Sequence, residues 1–197
     1  MNEEEKEFWE KLKRWHLDDV DICIGNNANY AASKMMLTLI DILGAFHGGM
    51  IRYKSKYYVL PGGKRKQKSK TIKIEGKNYE QTTNKEQFLS FLKNYIHEFY
   101  EIKVKHGSKE KRAAEILYDH FRCGLVHEGH SKLGTGLARI NNAEPIINKD
   151  GLLVLNILAL RDLVRRATFK FEKDLNKEKM LKRWRERYNF LTKEFRF

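Results

Sequence analysis

Residues 28 to 46 restrict the fold more than any other stretch. Ala31, Met35, Leu39, Ile42 and Phe46 recur at helical spacing, and Leu37 and Ile40 add apolar side chains on other faces of the same helix. A helix that is apolar on several sides has to be surrounded. The rest of the chain offers partners for it. Residues 3 to 17 place Phe8, Leu12 and Trp15 on one face, with glutamates in the first turn that complement the helix dipole. Thr83-x-x-Glu86 is a capping box for a helix over about 84 to 104, carrying Phe88, Leu92, Tyr95, Phe99 and Ile102. A helix over 109 to 125 follows, with Ser108 as its N-cap. Asn156 opens another, to about 174, and Asn176 caps the last, striped by Leu181, Trp184, Tyr188, Leu191 and Phe195. That last stripe packs inside its own domain or forms a dimer seam. The fold expected is mainly α, an antiparallel helical bundle forming one domain over 1–197.

Two segments leave the helical pattern. In 48–82, after Gly48-Gly49, Ile51, Tyr53, Tyr57 and Val59 alternate with Arg52, Lys54 and Lys56. Pro61-Gly62-Gly63 and the run Lys64, Arg65, Lys66, Lys68 and Lys70 come next, and then Ile72-Lys73-Ile74. This predicts a β-hairpin insertion with a long basic tip. In 130–155, Gly134, Gly136, Asn141-Asn142, Pro145 and Asp150-Gly151 predict a loop, with a short second hairpin of 137–140 against 146–148.

The formal net charge of +13 is uneven. Residues 48 to 82 hold ten Lys or Arg against two Glu, and residues 161 to 197 hold thirteen against six acidic residues. Concentration of charge into two segments favours a polyanionic partner, because each phosphate neutralised releases counterions. Arg52, Lys54, Lys56 and the basic tip would track a nucleic-acid backbone while Tyr53 and Tyr57 stack bases. The alternative is a solvated basic face with both tyrosines packing the hairpin onto the helices. No apolar run approaches the ~20 residues of a membrane span, and the first residues are acidic where a secretory signal is basic. A cytoplasmic protein is expected. Cys23 and Cys123 lie far apart and in no metal-ligand pattern, which fits a reducing compartment.

One stretch reads as chemistry, the sequence Leu117-Tyr118-Asp119-His120-Phe121-Arg122-Cys123-Gly124-Leu125-Val126-His127-Glu128-Gly129. An imidazole can take a 2′-hydroxyl proton near neutral pH, and a guanidinium can hold a phosphate whose charge rises in the transition state. On an ideal α-helix two residues five apart point about 140° away from each other. Arg122 and His127 therefore share a site only if the helix bends or ends, and Gly124 and Gly129 are where it would do so.

Arg-x4-His near a helix end, in an otherwise helical chain, resembles the HEPN superfamily, whose motif is Arg, four to six residues, then His. The resemblance in sequence covers about residues 117 to 129. It implies Arg122 and His127 as catalytic residues of a metal-independent endoribonuclease with no cofactor, acting on RNA across a homodimer. Many members are toxins or antiviral effectors, which implies an antitoxin or regulatory partner. Others are non-catalytic binding domains. The residue after the arginine, frequently polar in that family, is Cys123 in this chain.

Supporting roles fall to neighbours. His130 or Glu128, or a second copy's His127, could protonate the departing 5′-oxygen. Asp41 in the central helix could orient the site, although a solvated Asp is the commoner reading. His120, His127, His130 and Glu128 match no familiar zinc spacing, so no metal site is expected. Cys123 near His127 suggests a thiol nucleophile, against the commoner buried structural cysteine. Three classes remain: a ribonuclease, a non-catalytic RNA- or DNA-binding domain, and a protein-interaction module using the C-terminal stripe.

Overall fold

The computed structural model describes the chain apart from residues 62–69, 107–108, 133, 150 and 196–197, and apart from the side chains of His106, Lys109, His127 and Phe195. The first helix, α1 (Glu3–Gly25), starts at a capping box in which the Glu5 N–H donates to Asn2 Oδ1 at 2.8 Å and the Asn2 N–H donates to Glu5 Oε2 at 2.7 Å. It runs past the expected end at 17. It buries Trp9, Leu12, Leu17, Val20 and Ile24, and leaves the expected core residue Trp15 54% exposed. The central element is α2 (Asn29–Gly48). Its Ala32, Met36, Leu37, Leu39, Ile40, Leu43 and Phe46 are buried, but Ala31 is exposed and Met35 and Ile42 are only half-buried, so the helix is central yet not covered on every side as a helix apolar all round would be.

After α2 comes a sheet of four strands, β1 (Ile51–Tyr53), β2 (Lys56–Val59), β3 (Thr71–Ile74) and β4 (Lys77–Thr82), in the order β1-β2-β4-β3 and antiparallel throughout. The expected single hairpin over 48–82 is thus two hairpins side by side. Two-residue turns at Lys54-Ser55 and Glu75-Gly76, all four with positive φ, close them, as the twist of paired strands favours. The first turn falls inside what looked like one continuous strand. It reverses the alternation, so Tyr58, paired with Ile51, is the buried tyrosine, and Tyr53 and Tyr57 are not buried.

The Thr83 capping box opens α3 (Asn84–Tyr95) as expected, with the Glu86 N–H donating to Thr83 Oγ1 at 3.1 Å. The helix stops at Ile96 rather than reaching 104. A single turn, α4 (Glu98–Glu101), and a hairpin of β5 (Lys103–His106) and β6 (Lys109–Arg112) come next. Then α5 (Ala113–Ile116) begins four residues after the expected 109, and Ser108 lies outside the described residues. It continues without a break into two π-wound segments, Leu117–Arg122 and Gly124–Glu128.

Strands β7 (Thr135–Ala138) and β8 (Ile146–Lys149) do not pair with each other, contrary to the expected second hairpin in 130–155. Both flank β9 (Leu152–Asn156), β7 in parallel and β8 antiparallel. β9 passes directly into α6 (Ile157–Asp174). Asn156, fully buried, caps α6 by accepting from the Leu158 N–H at 3.2 Å, and its Nδ2 donates to Asn142 Oδ1 at 2.9 Å. The last helix is α7 (Glu178–Phe195), whose opening carbonyl is that of Lys177, accepting from the Leu181 N–H, not that of Asn176. Of its expected stripe, Trp184, Tyr188 and Leu191 pack on the core of the chain. Trp184 is fully buried between Phe46 and Tyr188, with ring centroids 5.3 and 5.0 Å away and planes within 20° and 15°.

The fold is therefore mixed α/β and not the mainly α, antiparallel helical bundle that periodicity predicted: among the described residues there are sheets of four, two and three strands. The hairpin of β5 and β6 lies outside the segments expected to be β, for a physical reason. β5 and β6 read Lys-Val-Lys-His and Lys-Glu-Lys-Arg, which gives no apolar alternation to detect. Among the described residues no helix is long and apolar enough to cross a membrane.

Candidate active site

The helix that carries Arg122 is wound wider than an α-helix. The Cys123 N–H donates to the carbonyl of Tyr118, five residues back. Closing each turn on the fifth residue places positions five apart above one another. The objection raised by α geometry, that positions 122 and 127 diverge by about 140°, does not apply to this segment. Position 127 lies in the second π-wound segment, one such turn beyond Arg122. The side chain of His127 lies outside the described residues.

The chain packs back against this segment. Gly129, with φ of +78°, ends it and turns the chain back. Residues 130–132 then cross Gly124 so closely that a Cβ there would sit 2.5 Å from the His130 carbonyl oxygen and 3.2 Å from the Lys132 nitrogen. The Lys132 N–H donates to the His120 carbonyl at 3.4 Å. His130 and Glu128 are exposed, with His130 Nδ1 3.0 Å from the Ser131 carbonyl oxygen, and Cys123 is a half-buried free thiol.

Arg122 is only 8% exposed. Its Nε donates to Asp41 Oδ2 at 2.6 Å, from the middle of α2. Asp41 is thus a half-buried partner of the motif arginine rather than the solvated carboxylate that was the commoner expectation. The guanidinium also lies 5.4 Å from the centre of the Tyr118 ring, on its own helix, within reach of a cation–π interaction. Burial opposes the charge on Arg122, and the carboxylate of Asp41, helped by Tyr118 and Cys123, more than offsets it, so its pKa rises above the ordinary arginine value. Burial likewise raises the Tyr118 phenol, with the Arg122 charge pulling the other way.

Tyr118, which packs on the arginine, is itself placed by residues that sequence reasoning missed as part of the site. Tyr118 stands against Phe88 at 5.2 Å, edge to face, and receives Lys85 Nζ at 5.7 Å on its ring. Lys85 in turn pairs with Asp119 at 2.7 Å. Tyr118 precedes Arg122 by four residues, and an aromatic at that spacing from a cation was the one signal available. α2, α3 and the π-wound segment thus meet at Asp41, Lys85, Tyr118 and Arg122. An arginine gripped at Nε and packed on a ring has a fixed plane, which is what preorganised stabilisation of a developing negative charge requires.

The expected nucleic-acid residues divide into two groups. Arg52, Lys54 and Lys56 are exposed on the β1–β2 hairpin, as is Lys70 at the start of β3, and Lys54 Nζ sits 5.5 Å from the ring of the 41% exposed Tyr53. Tyr57 is half-buried. Lys64, Arg65, Lys66 and Lys68 lie outside the described residues. The chain matches no family model, no curated protein and no solved structure.

Proposed function

We propose that the chain is a metal-independent endoribonuclease in which Arg122 and His127 act on one phosphate. The observation that carries this reading is the π winding of 117–128, which stacks position 127 one turn from Arg122. The net charge of +13 and the exposed Arg52, Lys54, Lys56 and Lys70 support an RNA substrate. In this mechanism the imidazole of His127 takes the 2′-hydroxyl proton and the 2′-oxygen attacks phosphorus. The bond to the 5′-oxygen breaks, leaving a 2′,3′-cyclic phosphate. The departing 5′-oxygen receives a proton from a second acid, for which a second copy's His127 is preferred because a homodimer brings two Arg–His pairs to one phosphate. His130 and Glu128 are the local alternatives.

The burial of Arg122 and its ion pair with Asp41 favour a second reading, in which the pair is structural and the chain is a non-catalytic RNA-binding domain. One experiment separates the two. Wild type and His127→Ala, both checked for folding by circular dichroism, are incubated with labelled single-stranded RNA in excess EDTA. Cleavage by wild type alone supports the nuclease. Binding by both with cleavage by neither supports the binding domain.

A further inference from the structure

A cleft of about 380 Å³ opens between the four-stranded sheet and α7, lined by Leu60, Pro61, Lys77, Asn78, Lys179, Lys182 and Arg183. Its size lies within the range of small-ligand sites. Four of the seven lining residues are cations and none is acidic. Glu186, three residues beyond Arg183 on α7, is already engaged from the sheet side. It accepts from Lys77 Nζ at 2.7 Å and from the Tyr79 hydroxyl. Lys179, Lys182 and Arg183 have no carboxylate partner among the described residues.

The walls of the cleft are fixed. Gly49, which ends α2 with φ of +63°, lies so close to α7 that a Cβ on it would stand 2.9 Å from the Arg183 carbonyl oxygen. This contact, and the Glu186 links to β4, hold the first half of α7 at a set distance from the sheet. Arg183 is half-buried, and among the described residues its side chain makes one hydrogen bond, a long 3.5 Å contact to the His47 carbonyl. Burial pushes its pKa down. A desolvated guanidinium without a carboxylate is costly, and an anion in the cleft would offset that cost. On the other side Leu60 and Pro61 present apolar surface.

We propose that this cleft binds a phosphorylated nucleotide unit, with its phosphate held by Lys179, Lys182 and Arg183 and its sugar or base resting on Leu60 and Pro61. Lysine and arginine are the side chains that hold phosphate oxygens by charge-assisted hydrogen bonds. The nucleotide is either free or one unit of an RNA strand, since both present the same phosphate and ring. The cleft shares no residue with the Arg122 site, so it stands whether or not the chain cuts RNA.

Two probes test this in EDTA: a fluorescent adenosine triphosphate and a short fluorescent single-stranded RNA, each titrated at low and raised salt. The proteins are wild type, Lys179→Glu/Lys182→Glu, and a charge-matched control, Lys34→Glu/Lys93→Glu. All four lysines are exposed, and circular dichroism and thermal melting check each fold. The cleft variant is expected to bind about tenfold more weakly than the control, with a shallower salt dependence. Weakening of both probes supports a general nucleotide site. Weakening of the RNA alone identifies a strand, and weakening of the triphosphate alone identifies a free nucleotide. Equal binding by the cleft variant and the control, or no binding of either probe by wild type, overturns the proposal. His127→Ala is carried alongside, because it tests cleavage and leaves the cleft intact.

Discussion

The carboxylate of Asp41 and the guanidinium of Arg122, eighty-one residues apart in sequence, meet at 2.6 Å across α2 and the π-wound segment. Both side chains are largely shielded from water, at 20% and 10% exposure. A pair in that setting is coupled: removing either partner strands the other.

A double-mutant cycle measures that coupling. Asp41→Asn and Arg122→Gln are each expected to destabilise the protein, and the two together to cost less than their sum, with a coupling of about 1–3 kcal/mol. Urea denaturation of the four proteins gives the value. Additive effects would mean that the ion pair contributes no stability.

Gly124 and Gly25 should respond in opposite ways to the same substitution. A methyl on Gly124 would meet the backbone of His130 and Lys132, and a methyl on Gly25 would meet nothing within 4 Å. Gly124→Ala is expected to destabilise by about 1–3 kcal/mol through overpacking. Gly25→Ala should be neutral or stabilise by up to ~1 kcal/mol. Thermal melts of both variants decide it, and equal melting temperatures would contradict the close crossing of residues 130–132.

His47 is packed edge-on against Phe91 and Tyr95. Burial, and after it the charge of Arg183, lowers its pKa from 6.5 to about 4. The unfolded chain therefore binds a proton between pH 6.5 and 4 that the folded chain does not, and stability falls as pH drops through that window. At about 1.36 kcal/mol per pKa unit the loss is roughly 3 kcal/mol. His16, also lowered by burial, acts in the same direction. His47→Gln should flatten part of the pH dependence of the urea midpoint between pH 4 and 6.5. An unchanged slope would show that His47 titrates normally.

Trp184 closes the core between α2 and α7. Trp184→Ala should cost about 3–5 kcal/mol, and Trp184→Phe much less, since it keeps a ring against Phe46. Tyr188→Ala, on the half-buried rim, is expected to fall below both. If Trp184→Ala were as stable as wild type, α7 would have to leave this position in solution.

Part of the helix layout was legible in the sequence, for reasons that can be named. α2 was legible because its apolar residues exceed one face, and the starts of α3 and α6 because Thr83 with Glu86 and Asn156 are capping residues whose bonds form as expected. Asp41 was legible as a candidate, yet nothing local says that it faces Arg122. That depends on how α2 crosses a helix eighty-one residues later. The two tight turns of the first sheet were hidden because Lys54-Ser55 and Glu75 adopt positive φ without being glycine. The pairing of β7 with β9 was hidden because parallel partners share no turn. The π winding was illegible, since the apolar spacing of 113–125 reads as an ordinary amphipathic helix.

That winding also sets how the chain would respond to changes of length. A turn closed on the fifth residue holds one residue more than an α turn, so residues 117–128 already contain what a one-residue insertion would add. Deleting Cys123 would leave the histidine four residues after the arginine, and α winding keeps such residues neighbours on one face. Adding a residue at the same place would demand a turn wider still, for which a helix has no ordinary form. The backbone spacing of positions 122 and 127 is buffered against shortening and unprotected against lengthening.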